Sequence, residues 1–384
     1  MQNNLVLVIV VLTALVFDFT NGFHDTANAL APTVATGALK PRVAVAMSGI
    51  LNLVGAFLSL KVAATIANSI VDQSFVTLPV IFAGLIGAIC WNVTTWYFKI
   101  PSSSSHALIG GVVGAMLAHA GSHAVLWRGI ASAVVAPGVA APLIALVVAG
   151  LAVHVAKRLT RSVSRQHSER GMRYGQIGSS ALLSVAHGTN DAQKTMGVIT
   201  LALIANRSLS TSASTPTWVI VLCAIAIGLG TFFGGWRIIR TMGHGVTPLT
   251  TTQGFTAQIA SSAVILSSSH FGLPLSTTYV ATGSIVGAGV SVSPHRVRWP
   301  LLGRVAMAWL VTLPTAGLFG ALTLWGESLF GLVAGVIVIG AAAAAYCVFM
   351  FIRSRRDPVS ATNVNDPWSA DPVMVNSAPL QMSA

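Results

Sequence analysis

From residue 5 to residue 352 the chain is a series of apolar stretches separated by short polar or basic breaks. They fall at roughly 5–37, 43–62, 79–98, 101–120, 127–155, 176–205, 217–240, 247–270, 273–292, 303–325 and 328–352. About 20 apolar residues span a bilayer as a helix. Within lipid only helices and closed barrels satisfy their own backbone groups. Only 8% of residues are charged, against about 25% in a soluble domain. The expectation is an all-α polytopic membrane protein of about 10–12 membrane segments, with the lipid bilayer as its surroundings.

The net charge of +12 does not indicate a nucleic-acid partner, because the basic residues flank apolar stretches and form no single basic face. Met1 to Asn4 contains no Lys or Arg. Leu5 to Phe17 therefore lacks the charged start of a signal peptide and is expected to begin a retained helix. Cys90, Cys223 and Cys347 all lie in apolar stretches with no CxxC, and they read as small buried hydrophobes.

Two polar clusters interrupt this pattern: Asp18, Asn21, Asp25 and Asn28, then Ser184, His187, Asp191 and Lys194. Both run at steps of three, four and three, so each lies along one face of a helix. Shifted by 166, Gly22 meets Gly188 and Asp25 meets Asp191. Shifted by 173, Pro101 meets Pro274, Ser103-Ser104-Ser105 meets Ser276-Thr277-Thr278, and Gly110-xxx-Gly114 meets Gly283-xxx-Gly287. Two motifs recurring in one order at nearly one offset mark an internal repeat. The expected organisation is a first transmembrane repeat at 1–155, a basic cytoplasmic loop at 156–175 and a second, inverted repeat at 176–326. An extra C-terminal helix at 327–352 and a disordered cytoplasmic tail at 353–384 follow. Each repeat holds about five segments, including one helical hairpin.

Charge placement sets an orientation. With the N-terminus outside the cell membrane and the C-terminus inside, 16 of the 21 Lys and Arg residues become cytoplasmic, as the positive-inside rule requires.

A carboxylate at mid-membrane depth costs roughly 2.5 to 3.5 kcal/mol, so Asp25 and Asp191 are candidates for cation or proton binding. Gly22 and Gly188 stand where a helix break would free backbone groups for ions. A structural ion pair, Asp191 with Lys194, is the plainer alternative. His24 and His187 read equally well as packing residues, and Asp18 could lie near an aqueous mouth. The Pro-led hydroxyl runs at 101–105 and 274–278 suit the first turn of a helix, where amides and hydroxyls cradle an anion. Simple N-capping is the alternative. The Gly-xxx-Gly pairs permit close helix packing. Asn92, Gln253 and Gln258 are polar residues in the first arms of the hairpins.

Asn21-Gly-Phe-His-Asp-Thr-Ala-Asn28 and Gly188-Thr-Asn-Asp-Ala-Gln-Lys194 resemble the paired signature of the PiT inorganic phosphate transporters. Pro101-Ser-Ser-Ser-Ser-His106 and Leu275-Ser-Thr-Thr278 resemble that family's paired hairpin-tip motifs. The resemblance runs from about residue 5 to 352. It implies phosphate uptake coupled to sodium or a proton, on an inverted-repeat fold with two hairpins meeting near the membrane centre. It implies cation binding by Asp25, Asn28, Asn190 and Asp191, with Asp25 and Asp191 on the metal if sodium is coupled. It implies phosphate binding by Ser103, Ser104, Ser105, Gln253, Ser276, Thr277 and Thr278. Asp18, Asn21, His24, His187 and Lys194 are further candidates. Many members carry an acid shortly after the second-hairpin glutamine, where this chain has Gln258.

The family includes sulfate carriers, so another oxyanion stays open, as does phosphate carried as a metal complex. A homodimer is compatible with the reading. No catalytic residue and no cofactor beyond the coupling ion is expected. An intramembrane aspartyl protease would use two such aspartates, but Gly188-Thr189-Asn190-Asp191 lacks the GxGD context. A passive channel would favour rings of charge along a pore.

Overall fold

The computed structural model describes residues 2–366. Residues 367–384 of the expected tail lie outside them. The described chain is helical. The helices are α1 (Gln2–Ala35), α2 (Pro41–Gly55), α3 (Lys61–Ser69), α4 (Leu78–Tyr97) and α5 (Ser104–Ala120). There follow α6 (Trp127–Leu159), α7 (Arg165–Ala205), α8 (Thr217–Phe233), α9 (Trp236–Gly245) and α10 (Thr251–His270). The last are α11 (Thr277–Val290), α12 (Trp299–Ser328) and α13 (Leu332–Ser354).

Five helices, α1, α4, α6, α12 and α13, are each long and apolar enough to cross a membrane, and α8 with α9 makes a sixth, bent by 59°. That is fewer than the 10–12 segments expected. The shortfall has local causes. At 15 and 17 residues, α2 and α5 are short. The middle of α7 carries His187, Asn190, Asp191, Gln193 and Lys194, and α10 is rich in Ser, Thr and Gln.

The stretch 43–62 is not one helix. It breaks between Gly55 and Lys61 because α7 supplies a cap: the side-chain carbonyl of Gln193 accepts the amides of Val62 and Ala63 at 2.8 and 3.3 Å. The stretch 217–240 breaks likewise at Gly234, whose φ of +73° is a backbone state that favours glycine. The basic segment 156–175 is not a loop: α6 runs to Leu159 and α7 starts at Arg165. Except for Arg161 in the short link, its charges sit on exposed helical turns, where Arg165 pairs with Glu169 at 2.9 Å.

The tail is not disordered over 355–366. Arg237 donates to the carbonyls of Ser354 and Asp357 at 3.0 and 2.9 Å, and Lys99 pairs with Asp357. Val364 is buried. Asn365 donates to the carbonyl of Val34 at 3.1 Å.

Packing between the halves is reciprocal. Helix α1 packs on α8, and α7 packs on α2; α5 packs on α12, and α11 packs on α6. Glycine sets each approach. Helices α1 and α7 run unbroken through Gly22 and Gly188, contrary to the expected breaks. A Cβ at Gly22 would stand 2.4 Å from the carbonyl oxygen of Ile227, and one at Gly188 would stand 2.1 Å from that of Asn52. These glycines let backbones touch. Gly114 and Gly287 do the same against Gly317 and Leu146, as their spacing suggested.

Two apolar cores result, one around Phe17, Phe82 and Met196 and the other around Leu30, Leu183 and Ile238. On both α1 and α7 the polar stripe lies where the helix passes from one core to the other.

Two outcomes follow. Gly188→Ala should lower stability by about 1–3 kcal/mol through overpacking. Gly178→Ala, with nothing within 4 Å, should leave stability unchanged or raise it by up to about 1 kcal/mol; thermal unfolding in detergent reads both. At the tail, the Lys99 ammonium holds the Asp357 carboxyl below its usual range. That fastening is therefore present above the unfolded-state carboxyl pKa and lost as pH falls through the lower, folded one. Hydrogen-exchange protection over 355–366, taken relative to the intrinsic rate at each pH, should fall on acidification, and Asp357→Asn should show the low protection already at neutral pH.

Candidate functional site

The stripes on α1 and α7 face each other at the centre of the bundle. Asp25 and Asp191 are 1% and 0% exposed. Ligand atoms of Asp25, His187 and Asp191 all lie within 4.8 Å of one another. Carboxylates this close and this dry repel unless donors or a cation hold them. The donors come largely from the hairpins α4–α5 and α10–α11.

The two hairpins serve the two acids in matching ways. The Ser104 hydroxyl lies 2.5 Å from Oδ2 of Asp25 and 2.7 Å from Oδ1 of Asn21, two acceptors for one proton. At the equivalent place Thr277 donates to Oδ2 of Asp191 at 2.9 Å. Thr278 adds a longer bond to Asp25 at 3.3 Å. Ser103 and Ser276 turn the other way and cap their own helices, accepting the amides of His106 and Tyr279 at 3.1 and 3.3 Å. The capping alternative thus holds for Ser103 and Ser276, while the next hydroxyl in each run contacts the acid. The first-turn amides of α5 and α11 have no carbonyl partner inside their own helices, and the caps take those of His106 and Tyr279.

The halves are also cross-linked, unequally. Asn28 on α1 donates to Thr277 and Thr278 at 3.1 and 3.0 Å. Its counterpart Lys194 on α7 reaches the Ser105 hydroxyl at 2.5 Å and the Leu275 carbonyl at 2.8 Å. Lys194 also pairs with Asp191, so the plainer ion-pair reading is realised, inside the cluster rather than apart from it.

His24 bridges Asp25 at 2.7 Å and Thr95 at 3.1 Å. His187 contacts Asp191 at 2.9 Å, off the hydrogen-bond axis, and Oδ1 of Asn52 at 3.0 Å. Asn190 donates to Ser269 at 2.9 Å, and Asp18 accepts from Thr195 at 2.9 Å. Asp18 is fully buried, so the mouth position does not apply. Oδ2 of Asp18, Oδ1 of Asn28 and Oδ1 of Asn190 have no hydrogen-bond partner. Buried acceptors left open beside two carboxylates fit a hard cation with oxygen ligands.

Gln253 does not join this group. It completes a capping box with Thr250 at the far end of α10 and donates to the Ala288 carbonyl at 3.0 Å. By helix rise that end is about 25 Å from the hairpin tip. Gln258 ties α10 to α1 through the Ala29 carbonyl and Thr33, both at 2.7 Å. Sequence reading missed Asn52 and Thr231, which bond each other at 2.7 Å and support His187 from the broken helices. A lone polar residue at a similar place in two apolar stretches was the available signal.

A family model described as "Phosphate transporter family" matches residues 21–320. The chain is 54% identical over 366 residues to a probable low-affinity inorganic phosphate transporter of Mycobacterium bovis, covering 95% of this chain and 88% of that protein. It is 43% identical over 320 residues to a Bacillus subtilis protein of the same description, covering 82% and 95%. A solved structure described as "the sodium-dependent phosphate transporter" superposes with a TM-score of 0.75 at 23% identity, covering 84% of this chain and 99% of that one. That likeness is one of fold.

Removing Lys194 should isolate the buried Asp191 charge. Lys194→Met is expected to destabilise by about 3–5 kcal/mol. The double variant Asp191→Asn/Lys194→Met should recover part of that loss, and thermal melts of the three proteins test it.

Proposed function

Because the chain belongs to the phosphate transporter family, we propose that it imports inorganic phosphate by symport with a cation, sodium or a proton. The observation that carries this reading is the meeting of Asp25 and Asp191 from matching helices, each touching a hydroxyl at the first turn of a hairpin helix. The family is one of transporters, which sets aside the protease reading.

The geometry suggests how cation and anion depend on each other. Without a cation, the Ser104 and Thr277 hydroxyls are committed to the carboxylates, and two negative charges repel phosphate. A cation on Asp25, Asp191 and the open acceptors of Asn28 and Asn190 releases those hydroxyls. They then turn, with the amides of the same turns, to the anion. The all-oxygen donor set favours sodium. Ser103 and Ser276 hold the helix ends in place rather than touching the ion.

The offsets of 166 and 173 and the reciprocal packing of α1–α8 with α7–α2 support an inverted repeat. Counted with its broken and short helices, that repeat gives the 10–12 segments. Alternating access would be rocking of one repeat-related bundle on the other around this site. Basic-residue placement favours the N-terminus outside and the C-terminus inside.

The imidazole of His187 beside both carboxylates supports a second form of the substrate, a neutral metal–phosphate complex. Proteoliposome uptake of labelled phosphate distinguishes these readings. Saturable uptake should follow an imposed sodium or proton gradient and resist excess sulfate. Dependence on a divalent metal would favour the complex, and absence of saturable phosphate flux under every gradient would overturn the proposal. Asp25→Asn and Asp191→Asn should each reduce coupled uptake to background in protein that still inserts in the membrane, with Asp191→Asn melting lower because it strands Lys194.

A further inference from the structure

A fourth buried carboxylate lies outside this cluster. Glu327, at the end of α12, is 4% exposed, and neither of its oxygens has a hydrogen-bond partner. An ionised carboxylate in that state is costly and calls for a counter-charge. Glu327 lines a cavity of about 720 Å³ at the end of the bundle where α1 begins, with Asn3, Thr77, His119 and Asn206 also in its wall. Arg207, next to Asn206, is exposed and makes no ion pair with Glu327 among the described residues.

Thr77 gives a second sign. It occupies the N-cap of α4, yet its side chain caps nothing, and its buried hydroxyl has no partner. A threonine there normally accepts an amide of its own helix. Here the hydroxyl is left for something else. The first turn of α4 lines the cavity as well, and a helix N-terminus favours the ionised over the protonated carboxyl.

We propose that this cavity is a binding site for a monovalent cation of sodium's class. Its ligands would be the Glu327 carboxylate, the Thr77 hydroxyl and the amide oxygens of Asn3 and Asn206. One carboxylate among neutral oxygen donors balances a single positive charge; a divalent ion would leave a buried surplus. Oxygen donors suit a hard ion. The site joins the ends of α1, α4, α7 and α12, so its occupation would fasten that end of the bundle. The inference does not depend on what the central cluster carries.

The test uses purified full-length protein in which Asp18→Asn, Asp25→Asn and Asp191→Asn remove the central carboxylates and Lys194→Met removes the charge they would strand. Sodium is titrated against choline at constant ionic strength, and thermal unfolding is followed. A melting temperature that rises saturably with sodium is expected, and adding Glu327→Gln should abolish the rise. Thr77→Val should shift half-saturation to higher sodium without changing the melting point in choline. A sodium response that survives Glu327→Gln overturns the proposal. So does a protein that ignores sodium and is stabilised only by acid, since Glu327 is then simply protonated. Should Glu327→Gln fail to fold, an unchanged half-saturation in Thr77→Val overturns it equally.

Discussion

Two carboxylates held within a few ångströms of each other in a dry interior govern much of this structure. At low dielectric their repulsion is strong, and every neighbouring element contributes something that offsets it. The hairpin tips bring hydroxyls, α7 brings the Lys194 ammonium, and the broken helices bring Asn52 and Thr231 behind His187. None of these could arrive without close backbone approach. The contacts of Gly114 with Gly317 and of Gly287 with Leu146 seat the second arm of each hairpin, and those of Gly22 and Gly188 seat the helices bearing the acids. Small residues and buried charge are thus two parts of one arrangement. The first lets the bundle close tightly enough for the second to be satisfied.

Much of this was legible in the chain, for identifiable reasons. Asp25 and Asp191 stood out because charge is rare in such surroundings, and the offset between motifs paired them before any coordinate did. The pairing of Ser104 with Asp25 and of Thr277 with Asp191 follows the same two offsets. Gly22 and Gly188 were misread, because glycine in a membrane helix serves both breaks and close contacts, and the sequence does not distinguish them. The actual breaks fall in neighbouring stretches, and one is held open by Gln193, 130 and 131 residues away from the amides it accepts. No local pattern reports such a partner. Gln253 is the opposite case. Thr250-Thr-Thr-Gln253 is a capping box in plain sequence, and weighing it locally would have placed that glutamine at a helix start rather than at the ion.

The halves match in backbone and differ in charge. The contacts of Ser104 and Thr277 and the caps of Ser103 and Ser276 repeat from one half to the other. A duplicated scaffold fixes such geometry twice. Along the stripes the chemistry differs, as at Asp18 against Ser184 and Asn21 against His187, and at the cross-links it differs in charge, an amide on α1 and an ammonium on α7.

That choice bears on electrical balance. Three buried acids, Asp18, Asp25 and Asp191, share the cluster with one lysine. That side chain is bonded into the wall, so it offsets carboxylate charge without being able to dissociate as a bound ion does. For a transported anion, this would mean one fewer mobile cation beside it than between two asparagine-bearing halves.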